Sequence, residues 1–188
     1  MITIIKQWQA RYAHFWDRLN VLRAGILGAN DGIISVSGIV LGAVGANLSN
    51  QTLFISGISG MLAGACSMAG GEYVSVSAQT SPDNRNSATY QTKIRDIDLL
   101  SPLHAAMTSF VAFLLGALIP LLAISLSTPR WRLTNTLVAM VVALTLNATV
   151  SAQRGAIPIR KVILRNITIG LVTAFVTYVM GSLLGGAV

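Results

Sequence analysis

The sequence predicts an all-α integral membrane protein, a bundle of five transmembrane helices that follows an amphipathic N-terminal helix. Only 10% of the 188 residues are charged and 53% are hydrophobic, whereas soluble domains carry about 25% charged residues. The chain also contains five apolar segments, each close to the roughly 20 residues that a bilayer core requires. A chain of this length forms one domain, residues 1–188.

The first 22 residues are predicted to form a helix that lies in the membrane interface. Its apolar and aromatic residues recur every three or four positions and therefore share one face: Ile5, Trp8, Tyr12, Phe15 and Leu19. Aromatic side chains on such a face favour headgroup depth. A cytosolic helix packed on the bundle is the alternative. No apolar run ends at a small-residue cleavage site, so no cleavable signal peptide is expected.

The five spans are predicted at residues 23–46, 53–78, 103–126, 132–151 and 162–186. Ser101 and Pro102 suit the start of the third span, with serine as the cap and proline in the first turn. Pro120 is expected to kink that span. The connection 79–102 is the one long polar segment, and we expect it to be a short cytosolic linker.

The basic residues predict the orientation of the chain. Arg130 and Arg132 are the two basic residues on one side of the predicted membrane, and the rest of the 13 Lys and Arg residues lie on the other. The positive-inside rule places the N-terminus in the cytosol and the C-terminus outside or in a lumen. The positive charge forms no separate basic face, which argues against a nucleic-acid partner. The small size favours the plasma membrane of a prokaryote; a vacuolar membrane would have the same topology.

Glycines occur at helix-packing spacing in the first two spans. The pairs are Gly28 and Gly32, Gly38 and Gly42, and Gly60 and Gly64. Small residues four apart let helix backbones approach closely in lipid. We expect the first two spans to form the tightly packed core, and a homodimer interface is the other use of these glycines.

Asp31, preceded by Asn30, lies inside the first span. A carboxylate in the middle of a membrane helix costs roughly 2.5–3.5 kcal/mol on insertion scales, so it usually faces the bundle interior and marks a functional site. A purely structural hydrogen bond between helices is the alternative for Asp31. Asn30 would either bind a ligand directly or orient Asp31.

The second span carries the other intramembrane acid, Glu72, with Met68 one helical turn before it. Residues four apart share a face. From the rise per residue, Asp31 lies roughly 13 Å deep, Met68 roughly 15 Å and Glu72 roughly 9 Å. Asp31 and Met68 would therefore meet near the midplane if the two helices are neighbours. The alternatives are ordinary packing for Met68, and snorkelling or pairing with a base for Glu72.

An oxygen donor that faces a sulfur donor indicates a metal site. Carboxylates suit hard cations and thioethers suit softer ones, so a mixed site fits Fe²⁺ or Mn²⁺. The ligand carboxylate must be deprotonated, so metal binding releases a proton and metal release takes one up. The candidate metal-binding residues are Asp31, Met68, Glu72 and Asn30. Asp31 and Glu72 are also predicted to couple metal movement to proton movement, as in an antiporter.

Two motifs resemble the signature stretches of the vacuolar iron transporter family, which includes a yeast manganese and iron transporter and a nodulin-like branch. They read LRAGILGANDGIISVSGIVLGAVGA (22–46) and SMAGGEYVSVSAQ (67–79). RNITIGLVTAFVTYVMGSLLG (165–185) also resembles the last span of that family. The resemblance covers nearly all of the predicted membrane portion.

The resemblance implies five spans, a homodimer with the path at its interface, and export of cytosolic Fe²⁺ or Mn²⁺ in exchange for protons. It assigns Asp31 and Met68 to the midplane metal positions and Glu72 to a nearby motif acid, with Asn30 beside the aspartate. One feature departs from the iron-storing members, which have a glutamate-rich cytosolic domain between the second and third spans. Here 79–102 contains no glutamate, so the chain resembles the short, nodulin-like branch.

Proton-coupled export of Fe²⁺ or Mn²⁺ is thus the leading hypothesis, with no tightly bound cofactor, and with membrane lipid and a second copy of the chain as partners. The alternatives are a passive divalent-cation channel and a membrane-interaction protein that transports nothing. An enzyme is not expected, because the sequence has no nucleophile–base pair, zinc-type spacing or phosphate-binding loop.

Overall fold

The computed structural model describes the backbone of residues 2–80, 101–152 and 158–186, and the side-chain surroundings of residues 20–79, 101–152 and 158–186. The elements are α1 (Ile2–Gly45), α2 (Asn50–Thr80), α3 (Pro102–Ser125), a short 3-10 helix (Pro129–Trp131), α4 (Arg132–Ala152) and α5 (Ile159–Gly185). Within these residues, five segments are long and apolar enough to cross a membrane. The predicted fold class, an all-α membrane bundle of five spans, is confirmed.

The spans lie at Asn20–Gly45, Asn50–Gln79, Pro102–Ser125, Pro129–Ala152 and Ile159–Gly185, each within a few residues of the segment expected from hydropathy. The N-terminal segment is helical from Ile2 and continues without a break into the first span. Its place in the membrane interface stays a prediction, because its side chains lie outside the described residues. Most of the predicted linker, 81–100, also lies outside them.

Local sequence explains where two of the helices end or begin. Asn47 has a positive φ of 56°, and Leu48 N–H beyond it donates to the Ala43 carbonyl at 3.1 Å. Asparagine tolerates this left-handed conformation, which commonly closes helices. At the start of α3, Ser101 Oγ accepts a hydrogen bond from His104 N–H at 3.4 Å and Pro102 occupies the first turn, as the Ser-Pro pair predicts.

Helix α1 is the central element of the bundle. In the most apolar stretch of α1, 56% of the residues are buried, whereas in the corresponding stretch of α5 only 11% are buried. One apolar cluster joins α1 to α2 and α3 through Val36, Val40, Ala65, Phe113 and Leu121. A second joins α1 to α4 and α5 through Ile33, Leu41, Met140, Leu144 and Ala174. The outer faces of the surrounding helices expose large apolar side chains, as lipid contact requires.

The glycines of α1 make close contacts with α3 and α5. A Cβ on Gly28 would lie 2.6 Å from the Ser109 carbonyl oxygen, and one on Gly32 would lie 2.2 Å from that of Phe113. Farther along, a Cβ on Gly45 would lie 2.3 Å from the Tyr178 carbonyl oxygen of α5. The expectation that the first two spans form the tight core is therefore wrong, because small-residue spacing permits close approach but does not select the partner.

Candidate metal site in a groove between three helices

An open groove of about 470 Å³ lies between α1, α2 and α3. Its lining residues are Asp31, Ser35 and Ile39 of α1, Gly60, Ala63, Gly64, Ser67 and Met68 of α2, and Phe113 of α3. The structure therefore brings Asp31 and Met68 to one groove, where depth counting expects them to meet. From Asp31 to Ile39 the groove follows α1 for about 12 Å, given a rise of 1.5 Å per residue.

Asp31 is half-buried and is held by its own helix. Ser35 Oγ, one turn later, donates to Asp31 Oδ1 at 2.9 Å. Asp31 makes no other hydrogen bond with the residues that the structure describes, so its second carboxylate oxygen remains available to a ligand in the groove. The hydrogen bond from Ser35 therefore orients the carboxylate.

Met68 and the groove walls supply the other chemistry of the site. Met68 is half-buried and packs against the apolar cluster between α1, α2 and α3, which fixes its position across the groove from α1. The hydroxyl groups of Ser35 and Ser67 are additional oxygen donors, while Ile39 and Phe113 make part of the wall apolar. The described part of the chain contains no group of three or more His, Cys, Asp or Glu residues that could hold a metal ion. One chain therefore offers a mixed but sparse set of ligands.

Glu72 does not line the groove. Its side chain is only 8% exposed and forms an ion pair with Arg23 of α1. The alternative in which Glu72 pairs with a base is thus the arrangement that the structure contains. Because Glu72 follows Met68 by one turn of α2, this ion pair lies just beyond the Asp31 end of the groove.

Asn30 contacts α4 and is not part of the groove lining. Asn147 Nδ2 donates to the Ile26 carbonyl at 3.3 Å and to Asn30 Oδ1 at 3.4 Å. This polar contact ties α1 to α4 immediately beside Asp31. It favours an anchoring role for Asn30 over direct binding of a ligand in the groove.

Of the predicted packing glycines, Gly28 and Gly32 are buried against α3, and Gly60 and Gly64 face side chains. A Cβ on Gly60 would lie 2.3 Å from Ile39 Cδ1, and one on Gly64 would lie 2.3 Å from Phe113 Cζ. The burial of the first pair leaves it unavailable as a dimer interface. The second pair borders the groove.

Sequence reasoning missed Ser35, Ser67 and Arg23. Ser35 follows Asp31 by four residues, and that spacing alone predicts a shared helix face. Arg23 is one of the basic residues from which the positive-inside rule predicts the orientation, at the cytosolic end of the first span. Its long side chain nevertheless reaches Glu72 on α2, because arginine can extend over several ångströms of apolar surface.

Comparison with known proteins identifies the family. The model of the VIT family matches residues 22–97 and 84–182. The chain is 35% identical over 165 residues to vacuolar iron transporter homolog 2 of Arabidopsis thaliana, covering 87% of this chain and 84% of that protein.

Other plant proteins give the same result. The chain is 34% identical over 179 residues to vacuolar iron transporter homolog 3 of Arabidopsis thaliana, covering 94% of this chain and 90% of that protein. It is also 31% identical over 183 residues to VIT-like transporter 1b of Glycine max, covering 92% of this chain and 80% of that protein. The five-span fold, the two motifs around Asp31 and Glu72, and these matches together show that the chain belongs to the VIT family.

Proposed function

We propose that this protein carries a divalent transition metal ion, Fe²⁺ or Mn²⁺ or both, out of the cytosol in exchange for protons. The observation that carries the proposal is the groove in which the Asp31 carboxylate and the Met68 thioether occur together, within membrane-spanning helices. VIT family members are transporters, so the prediction that the chain is not an enzyme is confirmed.

The donor types favour this substrate class. A carboxylate and two serine hydroxyls suit divalent ions that prefer oxygen, and a thioether shifts the preference toward later, softer metals. The relatives are named as iron transporter homologs, which supports Fe²⁺. Mn²⁺ has similar ligand preferences, so the groove suits both ions.

Proton exchange follows from the need to ionise the ligand. Asp31 binds a cation only as a carboxylate, and protonation after release neutralises it within the low-dielectric bundle. Glu72 is the second carboxylate among the side chains that the structure describes, and it lies one turn from Met68. We assign Asp31 and Glu72 to proton coupling. Asp31 and Met68 are the proposed metal ligands inside the groove, and Glu72 is a further carboxylate that binds the metal beside it.

A second copy of the chain would complete the site. The groove is open, and one chain supplies few ligands for an ion that commonly takes six. In a homodimer with the two grooves facing each other, each ion would be offered twice as many protein donors. The size of the purified protein in detergent micelles, measured by light scattering, tests this part of the proposal.

The orientation is proposed from charge. At one end of the bundle lie Arg23, Arg160, Lys161 and Arg165, and at the other lie Arg130 and Arg132. The positive-inside rule makes the first end cytosolic, so the C-terminus lies outside the cell or in a lumen. We propose the plasma membrane of a prokaryote as the location. Fusions of a cytosolic and a periplasmic reporter enzyme to the C-terminus distinguish the two orientations.

The test of function is metal flux into liposomes. Purified protein is reconstituted, and Fe²⁺, Mn²⁺, Co²⁺ or Zn²⁺ is supplied outside in turn, with the lumen either acidic or at the external pH. We expect Fe²⁺ or Mn²⁺ to accumulate above its external concentration only when the lumen is acidic, and the lumen to become less acidic as metal enters.

The same measurement separates the alternatives. A passive channel would carry metal down its own gradient at the same rate with or without a pH difference, and would never accumulate it. A membrane-interaction protein would give the flux of protein-free liposomes. Either result would overturn the proposed proton-coupled transport.

A further inference from the structure

The ion pair between Arg23 and Glu72 joins α1 to α2 immediately beside the groove. Glu72 is 8% exposed, whereas Arg23 is 54% exposed. The Arg23 guanidinium also reaches Asn20 Oδ1 at 3.3 Å, one turn earlier on the same helix. Neither partner of the ion pair lines the groove itself.

The two partners of this pair differ in their freedom to move. A buried carboxylate requires a positive partner, because an uncompensated buried charge is strongly destabilising. Glu72 is held on the inner side of α2, so it cannot turn to water without moving the helix. The half-exposed Arg23 can leave the pair and be hydrated, because its flexible stem allows the charged group to reach water.

The ion pair lies between the proposed cytosolic end of the bundle and the proposed metal ligands Asp31 and Met68. Glu72 precedes Met68 on the way in from that end, and Arg23 lies two turns before Asp31. A cation that moves from this end toward Asp31 passes Glu72 first. It would compete there with the guanidinium for the same carboxylate oxygen.

We propose that the Arg23 guanidinium competes with metal ions for the Glu72 carboxylate. It pairs with Glu72 when no metal is present and is displaced by an incoming divalent cation. This rests on the proposed function, because it requires metal to reach Asp31 past Glu72. A monovalent ion brings no more charge than the guanidinium and lacks its directed hydrogen bonds, so it does not displace Arg23. A divalent ion brings twice the charge. Arg23 thereby selects divalent over monovalent cations.

The experiment compares Arg23→Gln with the wild-type protein, with Arg160→Gln as the matched control. Arg160 is an exposed arginine at the same end of the bundle, on α5, so its removal changes the local charge without touching Glu72. The first readout is the MnCl₂ concentration that gives half of the metal-induced rise in melting temperature. The second is the effect of KCl on that concentration, at constant ionic strength maintained with N-methylglucamine chloride.

We expect Arg23→Gln to lower the half-saturating MnCl₂ concentration about tenfold, because the competing charge-assisted hydrogen bond is gone. KCl should then raise that concentration in Arg23→Gln but not in the wild type or in Arg160→Gln. Arg23→Lys keeps the charge but loses the forked geometry, so it should show a smaller decrease and remain insensitive to KCl. That variant also serves as the test if Arg23→Gln does not fold.

Three results would overturn the proposal. One is a half-saturating concentration in Arg23→Gln, or in Arg23→Lys if only that variant folds, equal to the wild-type value. Another is an equal decrease in Arg160→Gln, which would show a general effect of surface charge. The third is a decrease that persists in Arg23→Gln/Glu72→Gln, because the competition requires the Glu72 carboxylate. If the wild type responds neither to MnCl₂ nor to Fe²⁺ supplied without oxygen, the proposed function fails as well. A wild-type response to either metal with unchanged variants removes only the role of Arg23.

Discussion

Helix α1 contacts its neighbours in two different ways. Toward α3 and α5 four of its glycines, Gly28, Gly32, Gly42 and Gly45, lie against backbone atoms. At Gly32, a Cβ would lie 2.2 Å from the Phe113 carbonyl oxygen. Where α2 faces α1, the glycines of α2 meet only side chains. At Gly60, for example, a Cβ would approach Ile39 Cδ1. The groove that contains Asp31 lies on the second side.

The difference indicates how a carboxylate can be kept available in a membrane bundle. Close backbone packing excludes space, and it holds α1 in place along its length. The looser, side-chain packing of α2 leaves the groove open beside the same helix. Helix α2 therefore meets α1 mainly through side chains, and the groove lies along this side of α1.

The largest expected effect comes from filling the close backbone contact. Gly32→Ala should lower the free energy of unfolding by about 1–3 kcal/mol, because the added methyl group overlaps the backbone of α3. Gly70→Ala is the matched control, since nothing lies within 4 Å of its Cβ position. Thermal unfolding in detergent should show Gly70→Ala unchanged or stabilised by up to about 1 kcal/mol through helix propensity. If the two variants were equally stable, the claim that Gly32 lies in a tight backbone contact with α3 would be contradicted.

The polar contact between α1 and α4 should give the next largest effect. Asn147→Leu removes the hydrogen bonds to the Ile26 carbonyl and Asn30 Oδ1, and should cost about 0.6–2 kcal/mol, as interhelical hydrogen bonds in membranes do. Asn135→Leu, on the same helix, is the control: Asn135 is exposed and contacts Ser127 Oγ at 2.8 Å, so its change should lie within about 0.5 kcal/mol. If both variants unfold at the same temperature, Asn147 is not a structural tie beside Asp31.

The smallest effect on stability is expected on the α2 side. Gly60→Ala meets the end of the flexible Ile39 side chain, which is 37% exposed and can turn away. The stability should therefore change by less than about 1 kcal/mol, since the repacking cost is offset by helix propensity. Metal flux into liposomes should nevertheless decrease, because the methyl group narrows the groove. A destabilisation as large as that of Gly32→Ala would show that α2 is packed as tightly as α3.

Sequence reasoning identified the spans and the level of the site, but not the neighbours of α1. Hydropathy predicts the spans because lipid imposes length and composition on each helix separately. Counting residues along two antiparallel helices places Asp31 and Met68 at a similar depth, and both line one groove, although their role as ligands stays a prediction. The partner of Gly32 could not be predicted, because the glycine pattern is the same whichever helix approaches.

The environments of Glu72 and Asn30 also required the structure. Each depends on a side chain from a distant part of the sequence, Arg23 for Glu72 and Asn147 for Asn30. A hydrogen bond between helices leaves no periodic signal in either partner. The direction in which Asn30 points relative to its neighbour Asp31 is therefore set by packing, not by the motif that contains both.

The most direct test of the account is the Mn²⁺ flux of Asp31→Asn in liposomes with an acidic lumen. The substitution keeps the size of the side chain and an oxygen that can accept from Ser35 Oγ, so the protein should fold, and its melting temperature in detergent verifies this. The account predicts a flux equal to that of protein-free liposomes, because the charged ligand of the groove is gone. A folded Asp31→Asn that accumulates Mn²⁺ at the wild-type rate would contradict the assignment of the groove as the metal path.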